Sequence, residues 1–272
     1  MKVLRPVFSL FSALAFVLSA TFASAQVVWN HDPASAIGPE FWGSLTFPFA
    51  TCGAGDPFVE VGKKQAPVDI VTADTVAAKL LPLKFRYDTT PFIIENTGHV
   101  VEVPYEPSSN LRVGREKYEL LQFHFHAPSE HTVNGQFAAA ELHLVHRNDL
   151  LDLAVVGVLV NVGSPVNAVI DEILLNASTE SGEEVILPGS VNAKNILPKS
   201  KSYYTYSGSL TTPPCSEGVR WFVLKEPVFV SQEAIDHLHE VISEFDHYDG
   251  FANNNRPVRP LNGRVILNRK GN

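Results

Sequence analysis

Basic residues are the scarcer side of a small charge inventory. The 272-residue chain has 21 Lys and Arg against 29 Asp and Glu, only 18% of it is charged, and the formal net charge is -8. That balance argues against a general affinity for phosphate backbones or anionic lipid, so a nucleic-acid function is disfavoured. Cysteine is nearly absent, with Cys52 and Cys215 alone, and there is one Met. Any metal or redox site therefore has few residue types to draw on, and the ten His are the first to locate. After the first 25 residues there is also no low-complexity linker, internal repeat or run of like charge to mark a boundary. With 45% hydrophobic residues, and Pro and Gly spread along its length, the chain reads as one folded domain.

The apolar run from Val7 to Ala20 falls short of the roughly 20 residues of a spanning helix. It follows the positive charges of Lys2 and Arg5 and precedes Ala23-Ser24-Ala25, the small-x-small pattern of a signal-peptidase site. The expected division is a signal peptide over 1–25 and a domain over 26–272. No Cys follows the run, so no lipid anchor is expected. Loss of Lys2 and Arg5 makes the exported protein still more acidic. In an oxidising compartment Cys52 and Cys215, which have only each other, are expected to form a disulfide.

Segments rich in β-branched and aromatic residues, Phe92 to Glu95, Val100 to Val103, Tyr118 to His126, Glu141 to His146, Ala154 to Val160 and Trp221 to Leu224, read as strands between turns. Leu153 to Val160 is apolar on both faces, as a covered central strand should be. Two helices are expected. One starts at Ser164-Pro165, with Val166, Val169, Ile170, Ile173 and Leu174 behind it. The other starts at Ser231, with Ile235, Leu238, Val241, Ile242 and Phe245 as its stripe and Glu233 near its positive end. The class is mainly β with peripheral helices.

Within Gln122-Phe123-His124-Phe125-His126, strand periodicity puts Gln122, His124 and His126 on one face. Glu141, His143 and Val145 share a face in the second segment, and His146 falls on the other. If the two strands are neighbours, three imidazoles converge, and three His with an open fourth position form a catalytic zinc arrangement. Gln122 and Glu141 are then placed to accept from the outer ring nitrogens of the ligands. His237 and His239 serve as a contrast. Two residues apart on a helix, they point about 200° away from each other, cannot grip one ion together and are expected on a solvated face.

These segments resemble the α-class carbonic anhydrases. The resemblance rests on Gln122 to His126, Ser129-Glu130-His131-Thr132-Val133 and Ala140 to His146, in that order. It continues through Gly38-Pro39-Glu40 with Trp42, Gln65 to Ile70, Asn96 to His99, Tyr206 to Pro214 and Asn254-Asn255-Arg256-Pro257. It covers Trp29 to Arg264 and implies a large twisted, mostly antiparallel sheet with zinc at the bottom of a cone. It implies zinc on His124, His126 and His143 and a zinc-bound hydroxide that converts carbon dioxide to bicarbonate. In carbonic anhydrase itself such a site lowers the pKa of the bound water to about 7.

The resemblance also assigns Val145, Val155, Leu210 and Trp221 to the apolar wall for carbon dioxide, and Thr212 to a place beside the substrate. It makes Glu130 the partner of Thr211: an ionised Glu can only accept, so the Thr hydroxyl must donate to it and accept from the hydroxide. His99 matches the proton-shuttle position, for which an ordinary pKa of about 6.5 is suitable. A Cys52–Cys215 bridge would pin the loop that carries Thr211. Sulfonamides and small anions are the expected inhibitors. The signal and the two-Cys pattern resemble bacterial members, so the periplasm is the expected location, with secretion as the alternative.

The chain departs from the family at Trp29-Asn30-His31, where many members have a Tyr soon after the Trp, and at Glu102, near the shuttle, where amides are common. Glu102, if within reach of His99, is expected to raise its pKa. His31, His131 and His247 have no assigned catalytic role. Two other readings are a non-catalytic binding module, which typically lacks a zinc ligand, and a zinc esterase acting on activated esters.

Overall fold

A computed structural model describes residues 27–53 and 62–269; the expected signal peptide lies outside these residues. Among the described residues the main sheet has twelve strands. Those that matter to the site are β1 (Val76–Ala78), β2 (Thr90–Asn96), β3 (Val101–Pro104), β4 (Glu116–His126), β5 (Ala140–Arg147), β6 (Leu153–Val162), β7 (Glu184–Val191), β8 (Tyr203–Ser209), β9 (Glu217–Val230) and β10 (Leu267–Arg269). They lie in the order β7-β2-β3-β4-β5-β6-β9-β8-β10-β1. Pairing along this path is antiparallel except at β6–β9 and β10–β1. The sheet is thus mixed and mostly antiparallel, the second as the family resemblance implies.

β6 is central because its residues are apolar in both directions. Ala154, Val156, Val158 and Val160 join Phe222 and Leu224 of β9 in the larger core, while Val155 joins Trp221 and Val223 on the opposite face. Each fully buried Val or Leu contributes about 1.5–3 kcal/mol, so this strand alone anchors both layers. The larger core also takes the apolar faces of two helices, α1 (Ala168–Leu175) and α2 (Gln232–Ser243).

α2 starts as expected: the Ser231 hydroxyl accepts from Ala234 N at 3.1 Å, and Glu233 lies in the first turn. α1 does not. Its cap is Asn167, whose side chain accepts from Val169 N and Ile170 N, so Ser164-Pro165 lies in the preceding loop and Val166 is exposed. Asn is as strong a cap as Ser, and here it is the one next to the apolar stripe. β7 and β8 carry no strong apolar alternation and are not evident from the sequence. Most of β7 is exposed, as suits its place at the end of the sheet.

Candidate metal centre

β4 and β5 are antiparallel neighbours, and their register sets His124 directly opposite His143 and His126 opposite Glu141. Such pairs project from the same face. The three imidazoles therefore meet: His124 Nε2 and His126 Nε2 are 3.1 Å apart, and ring nitrogens of all three residues lie within 4.8 Å of one another. Two nitrogens at 2.0–2.1 Å from a tetrahedral ion are about 3.3 Å apart, so the spacing fits zinc. β5 bulges just beyond Val145, and His146 points to the other side, 2.7 Å from the Tyr87 hydroxyl.

Each outer nitrogen of the trio faces an oxygen. His124 Nδ1 is 2.9 Å from Gln122 Oε1, His126 Nδ1 is 2.8 Å from the Asn254 carbonyl, and His143 Nε2 is 3.0 Å from Glu141 Oε1. Gln122 and Glu141 are where strand periodicity puts them. A backbone carbonyl as the third acceptor leaves no mark in a sequence. Asn254 does more: its amide donates to the carbonyls of His99 and Phe125, tying the His99 turn to β4.

Glu141 is fully buried, and its second oxygen accepts from the backbone N–H groups of Glu130 and His131 at 3.0 and 2.7 Å. Burial opposes its charge, but His131 and His143 outweigh that and hold the carboxyl well below its usual range. His131, which the sequence left without a role, donates to Glu141 from Nδ1 at 2.7 Å and accepts from the Tyr206 hydroxyl at 2.6 Å. Gly157, opposite His143, makes room for this arrangement. A Cβ there would lie 2.7 Å from Glu141 Oε1.

Burial and the neighbouring imidazoles keep His124 and His126 below the ordinary histidine pKa, so both are neutral, as ligands must be. Burial also opposes charge on His143, but Glu141 and Glu130 raise it.

Val145, Val155 and Trp221 occupy matching positions on β5, β6 and β9, and Trp221 contacts the ring of His143. Leu210 is partly buried against the same cluster. Thr211 is 5% exposed and Thr212 is partly exposed in the loop after β8. Cys52 and Cys215 are bonded, 163 positions apart, which fixes the far end of that loop. Glu130 is completely buried. One of its oxygens accepts from Arg256 N at 2.8 Å, and the other has no hydrogen-bond partner and lies 3.7 and 3.8 Å from His126 and His143. Among the described residues no hydrogen bond joins it to Thr211.

His99 sits after Gly98, whose φ of 78° suits glycine, and its ring stacks on Trp29 with centroids 3.8 Å apart and planes 8° from parallel. A cavity of about 370 Å³ beside it is lined in part by Ser181, Asp246 and His247. Burial lowers the His99 pKa to about 4, with Asp246 pulling upward and His247 downward. The expectation for Glu102 is therefore corrected. Its side chain lies in register with Glu95 and His124 on the sheet face, and Asp246 is the carboxylate that acts on His99. Burial and Glu95 push Glu102 up to about 7.

His31 is buried behind Trp29 and Trp42, with Nδ1 hydrogen-bonded to the Tyr248 hydroxyl. His237 and His239 are not on a freely solvated face. Both are partly buried and bonded, to Glu240 and the Ala177 carbonyl and to the Ala252 carbonyl respectively.

Comparison with known proteins agrees with this geometry. Residues 38–270 match the family described as eukaryotic-type carbonic anhydrase. A carbonic anhydrase of Pectobacterium atrosepticum is 38% identical, with 94% of this chain and 98% of that protein covered. The α-carbonic anhydrase of Thermovibrio ammonificans, solved with the inhibitor sulfanilamide, superposes with a TM-score of 0.80 at 39% identity, covering 90% of this chain and 100% of that one. A carbonic anhydrase from Chlamydomonas reinhardtii in complex with acetazolamide gives a TM-score of 0.72 at 32% identity, covering 89% and 99%. Matching the family over nearly all of its described length, the chain belongs to the α-class carbonic anhydrases, enzymes that hydrate carbon dioxide.

Proposed function

We propose that the chain hydrates carbon dioxide reversibly with zinc held by His124, His126 and His143. The observation that carries this is the convergence of three ring nitrogens, each backed by an oxygen on the far side of its ring. Zinc there would supply the Lewis acidity that deprotonates water near neutral pH. Val145, Val155, Leu210 and Trp221 would hold carbon dioxide against an apolar surface, with Thr212 beside it. Glu130, with one oxygen taken by Arg256 N–H, would accept from the Thr211 hydroxyl at the other. That leaves the Thr oxygen as an acceptor and so fixes the orientation of the attacking oxygen.

His99 would carry the released proton to solvent. In its stack burial lowers its pKa to about 4, so a ring turned away from Trp29 into water would be the better proton carrier at neutral pH. Sulfonamides and small anions would bind at the same centre, and aryl esters would be slow alternative substrates. The disulfide fits export to the periplasm, and among the described residues no helix is long and apolar enough to cross a membrane.

The test is stopped-flow carbon dioxide hydration together with zinc analysis, before and after chelation. Turnover should need one zinc per chain, and should exceed aryl-ester hydrolysis by orders of magnitude. Turnover that survives removal of zinc, or none with zinc bound, would falsify the proposal.

A further inference from the structure

The register places a row of acidic side chains beside the metal centre. Glu184 of β7 pairs with Glu95 of β2, Glu95 pairs with Glu102 of β3, and Glu102 pairs with His124 of β4. Directly opposite residues of an antiparallel pair share a face, with Cβ atoms about 4.5–5.5 Å apart. Three carboxyl groups therefore run from the end strand of the sheet to a metal-ligand histidine, on the face where the three imidazoles meet. Among the described residues no Lys, Arg or His forms an ion pair with any of them. Like charges set directly opposite each other destabilise a sheet. The row thus works against the fold, and the end of it next to the metal centre is Glu102.

Carbon dioxide is neutral, whereas bicarbonate and the competing small anions are charged. We propose that Glu102 is a specificity-determining residue: its carboxylate, beside His124 and backed by Glu95, disfavours anions at the three-histidine centre and leaves the approach of carbon dioxide untouched. The proposal rests on the hydration reading above. If the separation is taken as on the order of 9 Å, a unit charge changes anion affinity about two- to twentyfold between the bulk-water and protein-surface limits of Coulomb's law. The consequence is weaker inhibition by anions and easier release of the bicarbonate product.

The experiment is calorimetric titration of the zinc-loaded chain with thiocyanate at about pH 8.5, above the value of about 7 to which burial and Glu95 raise Glu102, so that its carboxylate is ionised. Wild type, Glu102→Gln and Glu102→Asp are compared at fixed ionic strength. Glu102→Gln should bind thiocyanate two- to twentyfold tighter, and Glu102→Asp, which keeps the charge, should stay within about twofold of wild type. The KM for bicarbonate in dehydration should fall in Glu102→Gln by the same factor as the thiocyanate Kd, and the KM for carbon dioxide should move much less. Equal thiocyanate affinity in wild type and Glu102→Gln overturns the proposal. So does a tightening shared by Glu102→Asp, which would point to space and not charge. A zinc-loaded wild type that does not hydrate carbon dioxide overturns the functional reading instead, while the thiocyanate titration still decides the role of Glu102.

Discussion

Replacing Trp29 by Ala tests how the stack controls His99. The indole covers the imidazole at 3.8 Å, and burial lowers the pKa from 6.5 to about 4. At pH 7 a group of pKa 4 is protonated in about one molecule in a thousand, and one of pKa 6.5 in about one in four. Trp29→Ala opens one side of the ring to water, so the His99 midpoint should rise toward 6.5. The same shift sets a stability change. Between these two values the unfolded chain binds more protons at this site than the folded one, so stability is lost as pH falls from 6.5 to 4, by about 3 kcal/mol in all. The variant should lose less over that window. Nitrogen–proton correlation spectra of the imidazoles, with His99→Asn to assign the resonance, give the midpoints, and urea unfolding at the two ends of the window gives the stabilities. A wild-type midpoint already near 6.5, or one still near 4 in Trp29→Ala, refutes the reasoning.

Three other substitutions address the rest of the site. Glu141→Gln should weaken zinc binding about 10- to 100-fold in competition with a chromophoric chelator, and added zinc should restore part of the hydration rate. Thr211→Ala should lower kcat/KM for carbon dioxide by about one to two orders of magnitude, the worth of a hydrogen bond to a charged group, with the zinc content unchanged by elemental analysis. Replacing Cys52 and Cys215 by Ala releases a closed loop of 163 positions and should cost about 4–5 kcal/mol in urea unfolding. It should also lower kcat/KM, because Cys215 ends the loop that carries Thr211.

What the sequence disclosed about the site followed from strand periodicity. A repeat of two residues is enough to put Gln122, His124 and His126 on one face and to exclude His146, and both hold in the structure. It could not specify which strands are neighbours, so the meeting of His143 with His124 depended on an assumed pairing that the register supplies. Partners that act through backbone atoms, such as the Asn254 carbonyl on His126, were invisible because any residue type carries them. Glu102 departs from its conditional expectation for a related reason. Nearness to His99 along the chain suggested an influence, but strand pairing turns the side chain toward Glu95 and His124, and the fold brings Asp246 from far along the chain to the imidazole instead.

Arg256 shows how far the site depends on contacts of that kind. The motif Asn254-Asn255-Arg256-Pro257 marked the segment without giving it a task. In the fold the guanidinium is buried and donates to the Gln65 side chain and to the carbonyls of Ala66 and Cys52, while its backbone N–H donates to Glu130. Gln65 in turn donates to the Cys215 carbonyl at 3.2 Å. One side chain therefore joins both halves of the disulfide and, through its backbone, the carboxylate proposed to orient Thr211. A guanidinium has donors for several carbonyls in one plane, which a Lys at the same place could not match. Burial lowers its pKa to about 9, still far enough above neutral pH for the group to stay charged. The loop that carries Thr211 and the buried Glu130 are thus held in one frame by a residue that need not touch the substrate, which is why the loop's position is a property of the fold and not of the loop itself.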